Sequence, residues 1–259
     1  MTIESNQSNY FVQSVAKGFE VLNAFNASST HLTLGELAQK TGINKATVRR
    51  FALTLVDLGY LRLNHDNRFQ LSPKVLNLGH DYLESLNLPD LGQPILETIA
   101  TQLKESTNLA ILDGSEVVYV SRVNAAERIV GANLRVGSRL PYYATSLGKA
   151  LVAWIPEAER RNIWNQSKIE PFTEKTLITF GKFEENLAQC RSQGFAYGDG
   201  ELEEGLRSIA MPIFNRKGET IAAMNISTHM LRTTKEKILD NYLPVLKDGV
   251  EKLNKQIAY

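Results

Sequence analysis

The chain has 259 residues, 43% of them hydrophobic, with 29 Lys and Arg against 28 Asp and Glu. That length and apolar fraction exceed the needs of one small domain and predict two domains with at least one sizeable core. A formal charge of +1 gives no global basic signature, so any nucleic-acid contact must come from a local patch; the single cysteine excludes intrachain disulfides and thiolate metal clusters and points to a reducing compartment.

Residues 1–13 read as a disordered tail. The opening MTIESNQSNYF is polar, with no basic stretch leading into an apolar core, so it is not read as a signal peptide. No window approaches the apolar length needed to cross a bilayer, and a soluble, cytoplasmic protein is expected. QSVAKGFEVLNAFNASS then places Val15, Phe19, Leu22 and Phe25 at helical spacing, with Ser14 as N-cap. Thr33 opens a second helix, LGELAQKTG, with Glu36 three residues on in capping-box position and Gly42 as the stop. Asn44 caps a third, KATVRRFALTLVDLG, whose Val48, Phe51, Ala52, Leu55 and Leu58 share one face before Gly59 ends it. YLRLNHDNRFQL alternates as a hairpin about NHDN.

Helix, helix-turn-helix and hairpin in this order describe a winged helix-turn-helix over residues 14–71. Ser72 and Pro73 open a linker helix over 72–88, in which Val75, Leu76, Leu83 and Leu86 suggest packing on one side. From 89 to 259 a helix, LPDLGQPILETIATQLKESTN, leads into strand-rich LAILDGSEVVYVSRV and LRSIAMPIFNRKGETIAAMNIS. TSLGKALVAWI, PEAERRNIW and FEENLAQCRSQG are helical, and an amphipathic helix interrupted near Pro244 closes the chain. The mixture makes an α+β domain.

In a helix-turn-helix one helix braces across the phosphate backbone while the next presents its N-terminal half to the major groove. With Val48, Phe51 and Leu55 turned inward, Lys45, Thr47, Arg49 and Arg50 occupy the remaining faces there, and the caps Thr33 and Asn44 lie at the helix starts. Arginine can bond a guanine edge bidentately, threonine can reach a base or phosphate, and lysine supplies a phosphate contact. Arg68 at the base of the wing is a further candidate. On a lone helix such basic residues would read as a solvated face; here the caps and the wing point the same way, and double-stranded operator DNA is the expected partner.

The runs LTLGELAQKTGINKATVRRFALTLVDLGYL, FQLSPKVLNLGHDYL, RVGSRLPYYATSLGKALVA and GLRSIAMPIFNRKGETIAAMNIS together resemble the IclR family of bacterial transcriptional regulators. More narrowly, ERIVGANLRVGSRLPYYATSLGKALVA and ELEEGLRSIAMPI, followed by NISTH, resemble the subgroup controlling protocatechuate, 4-hydroxybenzoate and β-ketoadipate catabolism. The resemblance runs from about Ser14 to Ile257. It implies a winged helix, a helical linker, a GAF-like α+β effector-binding domain, and assembly as a homodimer or tetramer.

In the second domain, Thr145 or Ser146 can cap the helix that follows, leaving the N–H groups of Leu147, Gly148 and Lys149 at an anion-compatible helix start. A capped helix docking on a sheet is the plainer reading of the same residues. The resemblance sets this segment, Ala144 included, beside the effector pocket. It also makes Ser208, Asn225 and Ser227 polar ligand contacts, although some relatives carry Cys at the first position and Ser at the second. Arg122, Arg135 and Arg139 are candidate carboxylate partners, with Arg139 preferred, because guanidinium grips a carboxylate with two parallel bonds. Leu140, Tyr143 and Leu147 are the expected wall for a ring. The expected effector is therefore a carboxylated aromatic such as protocatechuate or 4-hydroxybenzoate, or a ring-cleavage acid derived from them; the alternative is a small keto acid such as pyruvate or glyoxylate.

No catalytic constellation is legible. Cys190 sits in an ordinary helix and reads as structural. Asp199, Glu201, Glu203 and Glu204 lack EF-hand spacing and read as an acidic surface loop. The four histidines are scattered, and neither HExxH nor GxSxG occurs. No metal and no cofactor is expected, and an enzyme on a GAF-like scaffold is the remote alternative to a regulator.

Overall fold

A computed structural model describes residues 9–125 and 134–257. The chain divides into two compact units, one through Tyr82 and one from Leu83 onward.

In the first unit, α1 (Gln13–Asn23), α2 (Leu34–Thr41) and α3 (Lys45–Asp57) precede the two-stranded wing β1 (Leu61–Leu63) and β2 (Phe69–Leu71). The caps of α2 and α3 form as expected. Thr33 Oγ1 accepts from Glu36 N at 3.3 Å while Glu36 Oε2 accepts from Thr33 N at 2.7 Å, closing a capping box. The Thr33 backbone N–H, then its hydroxyl, then Arg68 hold the Glu36 carboxyl below its usual range. Gly42, at φ +66°, ends α2 in the left-handed region that glycine enters without penalty. Asn44 Oδ1 accepts from Thr47 N at 2.9 Å at the start of α3. Val21, Phe25, Leu37, Val48, Ala52, Leu61 and Phe69 are buried together. Leu32 exchanges two backbone hydrogen bonds with Phe69, at 2.9 and 2.7 Å, and so adds a short third rung to the wing.

Two expectations here change. The first helix is preceded by Val12, whose side chain makes no capping bond, rather than by Ser14. Its buried residue is Val21, whereas Val15 and Phe19 remain more than half exposed. Only the C-terminal half of α1 turns apolar side chains into the core, so among the described residues the outer part of the expected stripe stays exposed. Ser72 is buried, but it donates to Gly59 O and accepts from Lys74 N at 3.1 Å, and α4 (Val75–Leu86) begins two residues later than expected. No residue of α4 is fully buried.

The second unit opens with α5 (Leu88–Leu103) and is built on one antiparallel sheet. Its strands are β3 (Ser106–Asp113), β4 (Glu116–Val123), β5 (Arg139–Pro141), β6 (Ala196–Asp199), β7 (Leu206–Phe214) and β8 (Thr220–His229), in the spatial order β5-β4-β3-β8-β7-β6. Alternation divides its faces. Leu109, Ile209, Met224 and Ile226 meet Leu96 and Ile99 of α5 and Leu246 and Leu253 of α10 (Leu243–Ile257). The opposite face carries Ala110, Ala210 and Ala223 under α6 (Ser146–Val152), with Phe183 and Leu187 of α8 (Phe180–Gln193) in the same cluster. A further helix, α7 (Glu157–Gln166), lies between these two in the chain.

Alanine on the sheet allows α6 to approach closely, and every residue of that helix is buried. Gly148 is required there: a Cβ would stand 2.1 Å from Tyr142 O. The chain closes with a one-turn helix, α9 (Lys235–Lys237), a π-helical turn over Ile238–Tyr242, and α10. The widened turn immediately precedes Pro244, which has no N–H to give to a regular helix. The edge strands β5 and β6 were not legible in the sequence; both are short, and they carry Pro141 and Gly198.

Candidate functional site

On α3, Lys45, Arg49 and Arg50 are exposed, while Val48, Ala52 and Leu55 are buried. Thr47 is half-buried. Thr33 and Asn44 are committed to the helix caps. Arg68 Nη1 lies 3.3 Å from Glu36 Oε2, so this arginine ties the wing to α2. Arg62, opposite Gln70 in the wing, is exposed and was passed over in the sequence.

The second unit holds a cavity on the α6 side of its sheet, enclosing about 980 Å³ when the open mouth is included. Two cross-strand rows supply its floor, the first with all four of its residues and the second with Arg122 and Asn225. Gly198, Ser208, Ser227 and Ser106 are successive register partners across β6, β7, β8 and β3. One rung along, Arg122, Asn108, Asn225 and Ala210 are partners across β4, β3, β8 and β7.

A register shift between Leu109 and Ala110 breaks the alternation of β4. Tyr119 and Arg122, three residues apart, would otherwise point to opposite faces; the bulge brings both to the cavity, with the guanidinium carbon 5.9 Å from the ring centroid. Burial pushes the Tyr119 hydroxyl up to about 12, against the pull of Arg122. Gly198 keeps the floor low, because a Cβ there would meet Ser208 Oγ at 2.8 Å.

Of the expected effector residues, Arg122, Leu140, Ala144, Thr145, Ser146, Ser208, Asn225 and Ser227 line this cavity. Four others do not. Arg139 lies on the edge strand β5, where Nη2 donates to Asp113 Oδ2 at 2.5 Å and Nε to Glu116 Oε2 at 2.7 Å. Those bonds, Glu116 first, raise its pKa and engage the guanidinium on the sheet edge. Arg135 is exposed in the preceding turn, its N–H donating to Ser138 Oγ at 2.8 Å. The 3-10 turn Tyr142–Ala144 sends the Tyr143 ring toward Trp164 and Phe172, where its hydroxyl accepts from Glu170 N at 2.8 Å. Leu147 is wholly buried in the α6 core. The apolar wall is instead made by Tyr119, Leu134, Leu202 and Leu206 with Leu140.

The expected anion-compatible helix start is also modified. The hydroxyl of Thr145 takes the Gly148 N–H at 3.0 Å, and α6 is only seven residues long.

The acidic segment after β6 is not simply a surface loop. Glu201 enters the cavity wall and pairs with Lys149, whose side chain is fully buried, at 2.6 Å. Lys149 Nζ also donates to Tyr197 O at 2.7 Å. Among the described residues neither Glu201 Oε2 nor Ser146 Oγ has a hydrogen-bond partner, although both are buried in the wall. Burial pulls the Asp199 carboxyl upward, but hydrogen bonds from Arg207 and Lys175 outweigh it and hold the group below its usual range.

Two other groups escaped the sequence. Asn108 is fully buried behind Asn225. Glu105, also buried, accepts from Thr228 at 2.7 Å, Arg232 at 2.5 Å and Tyr242 at 3.3 Å, and Thr228 and Arg232 lie on the cavity wall. Cys190 lies in the α8 core, where burial pushes its thiol up to about 11, the opposite of an activated thiolate. Residues 126–133, which join Ala125 and Leu134 of the wall, lie outside the described residues.

No described helix is long and apolar enough to cross a membrane. Residues 14–65 match the IclR helix-turn-helix domain, and residues 80–255 match the bacterial transcriptional regulator IclR C-terminal domain. The chain is 40% identical over 237 residues to the Pca regulon regulatory protein of Pseudomonas putida, covering 91% of this chain and 81% of that one. A solved structure from Rhodococcus sp. RHA1, assigned as a transcriptional regulator, superposes with a TM-score of 0.85 at 38% identity, covering 95% of this chain and 98% of the other. The inducer-binding domain of the PobR transcription factor from Acinetobacter, solved as a double mutant with 3-hydroxybenzoic acid, matches with a TM-score of 0.61 at 28% identity over 64% of this chain and 97% of its own. The chain belongs to the IclR family of bacterial transcriptional regulators.

Proposed function

We propose that this chain is a cytoplasmic, ligand-responsive regulator of genes for aromatic-acid catabolism. Residues 14–71 bind operator DNA, 72–88 form the linker, 89–259 bind the effector, and 1–13 form a tail. Lys45, Thr47, Arg49 and Arg50 meet the DNA, with Arg68 and the caps Thr33 and Asn44 supporting them. The effector is a hydroxylated aromatic carboxylate of the protocatechuate or 4-hydroxybenzoate type. Its relatives support this: the P. putida protein is named for the Pca regulon, and the Acinetobacter domain was solved with 3-hydroxybenzoic acid.

The observation that carries the reading is the mixed character of the cavity. A wall of Tyr119, Leu134, Leu140, Leu202 and Leu206 suits a ring, Arg122 suits a carboxylate, and Ser146 Oγ and Glu201 Oε2, which have no hydrogen-bond partner among the described residues, suit a hydroxyl. A homodimer is part of the proposal, because one helix-turn-helix reads too few bases and paired modules read symmetric half-sites. The exposed Val15 and Phe19 of α1 and Leu76, Leu78 and Tyr82 of α4 are the surfaces assigned to pairing.

Regulation requires only that the acid bind one arrangement of the protein better than another. Gel shifts on the DNA upstream of neighbouring genes, with and without 4-hydroxybenzoate or protocatechuate, test the proposal. A change in operator affinity with either acid is expected. DNA binding indifferent to both acids, together with no thermal shift by either, contradicts the effector assignment.

A further inference from the structure

The four side chains Arg122, Asn108, Asn225 and Ser227 form a continuous chain of hydrogen bonds across β4, β3 and β8. Arg122 Nη1 donates to Asn108 Oδ1, Asn108 Nδ2 donates to Asn225 Oδ1 at 2.6 Å, and Asn225 Nδ2 donates to Ser227 Oγ at 3.1 Å. Asn108 Nδ2 also lies 3.5 Å from the same serine oxygen. The direction of this chain does not depend on telling amide oxygen from nitrogen. A guanidinium can only donate, so the Asn108 atom facing it is the oxygen. The Asn108 amide nitrogen then faces Asn225, whose oxygen must receive it, and the Asn225 nitrogen is left to face Ser227. A serine oxygen accepts at two lone pairs, and both are addressed by amide N–H groups. The only hydrogen-bonding capacity Ser227 keeps is its own hydrogen, and Ser227 stands in the cavity wall.

We infer that this rung is a polarity relay: Asn108, which lines no part of the cavity, fixes the Ser227 hydroxyl as a donor and so selects a ligand group that only accepts. Asn108 is a positioning residue acting through Asn225 and Ser227. An ionised carboxylate meets the requirement with both oxygens, whereas a primary amide offers one acceptor and two donors that find no acceptor on this serine. Donor and guanidinium charge then act on the same group, since Arg122 begins the relay and also lines the cavity. The two amides of the relay are buried, with Asn108 wholly inaccessible and Asn225 nearly so. Reversing it would leave amide groups unsatisfied where water cannot replace the lost bonds.

This inference rests on the effector reading above, and the test separates the two. Calorimetric titration of the full chain with 4-hydroxybenzoate and with 4-hydroxybenzamide gives a carboxylate-to-amide affinity ratio. In the wild type that ratio is expected to be about tenfold or more, the scale of a charge-assisted hydrogen bond kept or lost. Asn108→Leu, similar in shape and neutral, is expected to lower the ratio several-fold while amide binding persists and the share owed to the Arg122 charge remains. Ser227→Ala is expected to lower it to the same extent, and the double variant to go no further, because residues in one relay are not additive. An undiminished ratio in Ser227→Ala, additive losses in the double variant, or an equal weakening of both ligands by Asn108→Leu overturns the relay. Should Asn108→Leu not fold, Ser227→Ala decides alone. Absence of binding by either compound to the wild type overturns the effector reading and the relay with it.

Discussion

The winged-helix unit and the effector unit store their specificity differently. In the first, each signal lies within a few residues of its partner: Thr33 with Glu36, Asn44 with Thr47, Gly42 directly after α2. The basic residues stand on the outside of a helix whose inner face is apolar. In the second, partners meet between segments far apart in the chain: Asn108 with Asn225, Lys149 with Glu201, Glu105 with Arg232. The first unit can be read with a ruler laid along the sequence, whereas the second needs the register of a sheet. The basic face of α3 also keeps its charges in water, where each is worth little to the fold; the second unit buries several of its charges, where losing one partner strands the other.

The sharpest way to break this contrast is to remove a buried charge partner. Glu201→Leu should leave Lys149 as an uncompensated buried cation and cost about 3–5 kcal/mol of stability, read as a lower denaturation midpoint of the full chain. A loss below about 1 kcal/mol, the scale of an exposed pair, would place Lys149–Glu201 with the surface ion pairs and erase the distinction.

How much was legible follows from the same contrast. The caps of α2 and α3 and the β7–β8 hairpin about NRKG are local patterns, and they were read correctly. The stripe of α1 was misjudged because periodicity identifies an apolar face without saying whether anything packs on it; Val15 and Phe19 stay exposed. In the effector unit the resemblance pointed to Ser208, Asn225 and Ser227, which do line the cavity. It did not rank the arginines. Arg139 looked the better carboxylate partner from sequence, but two acidic residues on neighbouring strand ends engage it. Arg122 reaches the cavity face through a one-residue bulge that no period-2 reading of EVVYVSRV contains. Asn108 in β3 and Glu105 just before it were invisible for a related reason: a buried polar residue has meaning only once its partner from a distant segment is known.

A second prediction sharpens the comparison from the DNA side. Arg49→Ala and Arg50→Ala should each weaken operator binding by about 1–3 kcal/mol where the residue reads a base, with relaxed sequence choice, or lower the salt slope by about one ion where it meets a phosphate. Thermal stability should hardly move, since both side chains are exposed. Gel shifts across a salt series on specific and scrambled DNA distinguish the two roles; unchanged binding to both DNAs in both variants would remove α3 as the recognition helix.

If the cavity of the second unit receives an aromatic acid through Arg122, its occupancy must reach operator binding. A titration of operator affinity with 4-hydroxybenzoate, protocatechuate, pyruvate and glyoxylate in the wild type, Arg122→Ala and Arg139→Ala measures this coupling. A response to the aromatic acids is expected that survives Arg139→Ala and falls by about tenfold or more in apparent effector affinity in Arg122→Ala, the scale of a charged hydrogen bond. A response confined to the two keto acids, or one lost with Arg139 and kept without Arg122, would contradict it.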